Sequence, residues 1–189
     1  MKTAFKTLLS RPGCRRRLAR GVTALEALLT LSTMAVTLGA GLPSLGEARA
    51  RRQLEGTAAQ VAADIGHARS LAVSLGTAVR FTVQQDTGGS CYAIHTGSAG
   101  SCSCSSQGSA ICAPGAQVLR FASLDTTQSV RMGGNARSLL FDPDRGTITP
   151  TGTIQLSAAN GKALNLVVNI MGRVRSCTPS PPMVGYPVC

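Results

Sequence analysis

The chain has 189 residues, enough for one domain with an appendage. Apolar residues make up 43% and aromatics 3%, with no Trp, so the chain is too apolar to be wholly disordered and its core must be aliphatic. The formal charge of +11 raises nucleic-acid binding, while a single long apolar run excludes a multi-pass membrane protein. In chain order, residues 1–21 hold seven positive charges, Lys2, Lys6, Arg11, Arg15, Arg16, Arg17 and Arg20, and no acid. Residues 22–189 therefore keep 12 Lys and Arg against 8 acids, a modest +4. Residues 22–45 read as an apolar helix whose one charge is Glu26, and the 20 residues from Ala27 to Gly46 are uncharged, the length that spans a bilayer. Basic residues ahead of such a helix stay cytoplasmic and put the rest outside. Three readings compete: a secretory signal cut after Ala48-Arg49-Ala50, an uncleaved anchor, and a leader cut between Gly21 and Val22. Glu26 favours the third. A carboxylate costs about 2.5–3.5 kcal/mol at mid-bilayer, and neither of the first two readings has a use for it.

Beyond Gly39, Gly41 and Pro43, where a helix bends or melts, the pattern turns amphipathic. Leu54, Ala58, Val61, Ile65, Ala68, Ala72 and Leu75 form one helical stripe over 46–76, with Arg49, Arg52, Glu55, Asp64 and Arg69 mainly off it and Gly76 as the stop. His67 reads as a solvated surface residue and His95 as part of a strand; neither is assigned to catalysis or metal. Residues 77–176 read as short strands: 78–84, 91–95, 117–121, 129–132, 138–141, 147–149, 152–156, 163–169 and 173–177. Asp142-Pro143-Asp144-Arg145-Gly146 and Asn160-Gly161 are turn signals. The expected fold is α+β, a long N-terminal helix packed on an antiparallel β-rich head.

Cys14 lies in the leader, leaving Cys91, Cys102, Cys104, Cys112, Cys177 and Cys189. An even count in an exported domain implies up to three disulfides, in any of 15 connectivities. Cys177–Cys189, both in the Pro-rich tail 177–189, is the most natural pair. The other four lie in a Gly/Ser-rich stretch with no strong structure of its own, which two bridges would order. Zinc is the alternative, but Cys102-Ser-Cys104 departs from ligand spacing, so no metal is expected. No catalytic constellation or cofactor motif appears; Asp142 and Asp144 suit a turn better than acid–base chemistry. A binding or assembly role is favoured over an enzyme.

Arg20-Gly21-Val22-Thr23-Ala24-Leu25-Glu26 resembles the processing signal of type IV pilins and type II secretion pseudopilins, with Val22 where Phe is usual and Ala24 where Leu is usual. Residues 65–83 and 139–176 resemble the GspH/FimT family of minor pilins, so the likeness covers most of 20–176. It implies a type IV pilin-like fold and a prepilin peptidase that cuts after Gly21 and methylates the amine of Val22. It also implies that Glu26 pairs with a neighbouring subunit's N-terminus during assembly with other major and minor pilins. The expected location is the inner membrane with the head in the periplasm, then the pilus. Gly172-Arg173-Val174-Arg175 resembles the GRxR motif of FimT-type subunits, which implies DNA binding. Alternate strand residues share a face, and guanidiniums grip phosphate bidentately. Lys162, Arg131 and Arg137 are candidates to extend this patch. Without an aromatic platform, binding would be directed at phosphates and indifferent to sequence. Three roles remain open: a FimT-like pilin for DNA uptake, a GspH-like pseudopilin of type II secretion, and a pilus-initiation subunit without DNA affinity.

Overall fold

The computed structural model describes residues 23–86, 89–105, 108–125 and 130–189. The leader and the expected cleavage site, Gly21 and Val22, lie outside them. Helix α1 spans Ala24–Leu75 and is continuous through Pro43. It starts on Thr23, whose Oγ1 accepts the Glu26 amide at 3.3 Å and whose carbonyl accepts the Ala27 amide at 3.1 Å. Thr23 and Glu26 thus have the spacing of a capping box, and Glu26 sits at the positive end of the helix dipole.

Two compact units divide the chain, residues 1–42 and 43–189. In the first, Leu25, Leu28, Leu29, Leu31, Met34 and Val36 are all exposed. The hydroxyls of Thr30, Ser32, Thr33 and Thr37 donate to carbonyls three or four residues back at 2.8–3.0 Å, so the helix satisfies them itself. Among the described residues no helix is long and apolar enough to cross a membrane.

In the second unit, Leu54, Ala58, Val61, Ile65, Ala68 and Ala72 are 0–3% exposed, which is the expected stripe. It ends one turn early: Leu75 is exposed. Against the stripe lie two antiparallel sheets. One holds β1 (Val79–Asp86), β2 (Gly89–Thr96), β5 (Val118–Asp125), β7 (Ser138–Phe141) and β8 (Ile148–Thr149), in the order β5-β2-β1-β7-β8. The other holds β6 (Val130–Gly134), β9 (Gly152–Ala158), β10 (Ala163–Val168) and β11 (Val174–Cys177), in the order β11-β10-β9-β6. Leu164, Leu166 and Val168 alternate inward from β10, and with Ile154, Leu156, Phe81, Tyr92 and Phe141 they join the helix stripe in one core. Phe81 stacks on Tyr92 with ring centroids 4.9 Å apart.

Asp64 departs from its expected place off the stripe. It is 4% exposed and accepts hydrogen bonds from the Tyr92 hydroxyl at 2.5 Å and from Arg120 Nε at 2.9 Å. A buried carboxylate needs such partners, and both come from strands that local periodicity cannot see. Burial, and then the hydrogen bond to Asp64, push the Tyr92 phenol well above its ordinary pKa.

Two bridges order the cysteine-rich stretch, as expected. Cys102–Cys104 (β3) and Ala110–Cys112 (β4) form a two-stranded hairpin. Cys102–Cys112 closes it, and Cys91–Cys104 ties it to β2. Gln84 on β1 holds it from below, donating to the Cys102 carbonyl and accepting the Cys104 amide. His95, on the same face of β2 as Cys91, is fully buried between the Thr82 hydroxyl and the Thr96 carbonyl, each 2.9 Å away. Cys177–Cys189 closes the tail. There Met183 is buried, and Arg51 of α1 donates to the Val184 carbonyl at 2.8 Å.

Candidate nucleic-acid interface

β10 and β11 are joined by a tight turn over residues 169–172. The Gly172 amide donates to the Asn169 carbonyl at 2.9 Å, and the Asn169 amide to the Arg173 carbonyl at 3.1 Å. Asn169 Oδ1 also accepts the Arg173 amide at 2.9 Å. Gly172 has φ +77°, a left-handed conformation that costs an L side chain about 1–2 kcal/mol. Space is short as well: a Cβ there would lie 3.0 Å from Arg69 Cδ. The sequence motif therefore begins with glycine for two local reasons, a turn and a close neighbour.

Arg173 leaves this turn and Arg175 follows on β11, an edge strand. Val168 pairs with Val174 and Val167 with Arg175, so Arg175 shares the outward face with exposed Val167 and points away from the core. Both arginines are exposed, and among the described residues neither guanidinium has a carboxylate partner. Two further cations stand nearby. Arg69 of α1 lies against Gly172 and donates from Nε to the Gly146 carbonyl at 2.8 Å. Arg145 belongs to the same 142–147 turn as Gly146. That turn adjoins β8, whose first residue, Ile148, donates its amide to the Ile170 carbonyl at 2.9 Å. The turn also carries two acids. Asp142 Oδ1 accepts the amides of Asp144 and Arg145, which holds the turn closed as its sequence predicts. Arg69 left no signal in the sequence, because off the apolar stripe it reads as solvated.

The other expected contributors are not gathered here. Lys162 is at the opposite end of β10 from Arg173, roughly 20 Å away at strand rise, and forms an ion pair with Glu47 of α1. That contact, a hydrogen bond reinforced by charge attraction, holds the Glu47 carboxyl below its usual range. Arg131 faces outward from β6, the far edge of the four-stranded sheet, roughly 14 Å across it. Arg137 lies between β6 and β7, where its carbonyl accepts the Val83 amide at 2.8 Å. Tyr186 is partly buried against the core.

The type II transport protein GspH family matches residues 57–172, more than half of the chain. The matched span stops at Gly172, so Arg173, Arg175 and the disulfide-closed tail lie beyond it. No curated protein sequence matches the chain. Two crystal structures of the type IV minor pilin FimU of Pseudomonas aeruginosa (strain PAO1) are similar to it. One is 20% identical and covers 69% of this chain and 95% of its own, with a TM-score of 0.49. The second is 19% identical and covers 67% of this chain and 98% of its own, with a TM-score of 0.47. With one helix laid on antiparallel sheets and the GspH match running from that helix to the β10–β11 turn, the chain belongs to the GspH family, the GspH/FimT-like minor pilins and pseudopilins.

Proposed function

We propose that this chain is a minor pilin that enters a type IV pilus through the first half of α1 and binds DNA non-specifically for uptake through Arg173 and Arg175. The observation that carries the DNA reading is the arginine pair itself. Both side chains are exposed beside one rigid turn, without an acidic partner among the described residues and with Arg69 and Arg145 close by. Guanidiniums left free in this way suit phosphate oxygens, contacts that carry no sequence information.

For assembly, the supporting observation is the row of exposed Leu, Met and Val side chains from Leu25 to Val36, which needs lipid or neighbouring helices as cover. Processing after Gly21 and methylation of Val22 by a prepilin peptidase would free an amine a few residues from Glu26. In an apolar filament core, a carboxylate on one subunit and an amine on the next would relieve each other's desolvation. Before assembly the subunit would sit in the inner membrane with its head in the periplasm.

The test is a gel-shift titration of the full chain in non-ionic detergent across a salt series. Arg173→Ala with Arg175→Ala should flatten the slope of log affinity against log salt by about two and leave the circular dichroism unchanged. Equal affinity in parent and double variant refutes the assignment. A second reading, a pseudopilin of a type II secretion system, is favoured by the description of the matching family. Deleting the gene separates the two: loss of DNA uptake supports the first, loss of protein export the second.

A further inference from the structure

The tip of the β10–β11 hairpin is apolar and bare. Ile170 and Met171 are 55% and 52% exposed, and Val167, paired with Arg175, is 39% exposed. The tip is also rigid. Its turn bonds close it from within, the Ile148 amide holds the Ile170 carbonyl from the side, and the Arg69 side chain packs under Gly172. A rigid hairpin therefore presents two bulky apolar side chains directly ahead of two free arginines.

We propose that Ile170 and Met171 act as an apolar wedge that enters a groove of duplex DNA and partly unstacks a base step while Arg173 and Arg175 hold the flanking phosphates. The inference rests on the DNA reading above and adds the contact behind the phosphates. Charge complementarity selects the occupant. Arg69, Arg145, Arg173 and Arg175 lie beside the tip and outnumber Asp142 and Asp144 of the same 142–147 turn, so its partner presents anions first and an apolar or π surface behind them. A nucleic-acid groove has that layering, and apolar side chains flanked by cations are a recurrent means of kinking duplexes. A bilayer fits less well. Two half-exposed side chains bury far less apolar surface than a single myristoyl chain, which itself anchors only marginally.

The experiment uses the full chain in non-ionic detergent and a duplex carrying a fluorescent adenine analogue whose emission rises on unstacking. Binding by the parent should raise the emission. Ile170→Ala with Met171→Ala should abolish the rise and weaken binding about tenfold, with the salt slope unchanged because no phosphate contact is lost. Arg173→Ala with Arg175→Ala should instead flatten the slope. A parent that binds DNA without the rise, or a wedge variant that keeps both rise and affinity, overturns the wedge and leaves the arginine reading standing. A parent that binds no DNA overturns both. A photo-crosslinker in place of Met171 that captures other copies of the chain instead of DNA assigns the tip to assembly and also overturns the wedge.

Discussion

Asp64 is the sharpest test of how the head holds its helix. It is 4% exposed, on the face of α1 that meets the strands, and its Oδ2 accepts from the Tyr92 hydroxyl at 2.5 Å and from Arg120 Nε at 2.9 Å. The Arg120 side chain is 45% exposed, so water screens that half of the contact and it contributes at most about 1 kcal/mol. The Tyr92 half is dry, since Tyr92 is 1% exposed. A buried hydrogen bond to a charged group contributes about 1.5–3 kcal/mol, so Tyr92→Phe should lower the melting temperature by roughly 3–12 °C. Asp64→Asn keeps the shape and removes the charge, and the two changes together should cost less than the sum of the singles by about 1 kcal/mol or more. The assay is thermal and urea unfolding of the full chain in detergent, both followed by far-ultraviolet circular dichroism. A second signature follows from the raised Tyr92 pKa. Above pH ~10 the unfolded chain ionises this phenol while the folded chain keeps it neutral, so stability falls as pH rises. Tyr92→Phe should lack that part of the alkaline loss. Singles that simply add, or an alkaline profile unchanged in Tyr92→Phe, would refute the buried clamp.

Three further outcomes are expected. Gly172→Ala should destabilise the head by about 1–2 kcal/mol and displace Arg69, seen as faster amide exchange in the 142–147 and 169–172 turns. Lys162→Ala breaks only an exposed ion pair with Glu47, so the melting temperature should stay close to the parent's and DNA affinity should change by less than about twofold in the gel shift. Glu26→Gln retains a residue suited to the capping box but removes the charge, so it should reduce incorporation into filaments, read by immunoblot of sheared pili, with the head's DNA affinity unchanged. Normal incorporation would exclude the carboxylate from assembly.

Much of this molecule is written locally. The stripe from Leu54 to Ala72 has helical spacing, and LNLVVN alternates with period two, so their buried faces could be read before any contact was known. The turn at Asp142 is legible because its carboxylate bonds backbone amides two and three residues ahead. The tail pair Cys177–Cys189 is legible because only a short Pro-rich loop separates the two residues.

What the sequence could not determine depends on partners distant in the chain. Asp64 resembles any solvated helix charge until β2 and β5 bring Tyr92 and Arg120 to it. The hairpin β3–β4 has weak propensity of its own and is ordered by crosslinks and by Gln84. The basic patch shows the same division. The spacing of Arg173 and Arg175 predicts one side of a strand, yet β11 begins at Val174 and Arg173 falls in the turn before it; the sheet order separates both from Lys162 and Arg131, and the packing of α1 brings in Arg69. Periodicity determines which way a side chain points relative to its own element, whereas the neighbours it meets depend on how strands and helix pack, which no local spacing encodes.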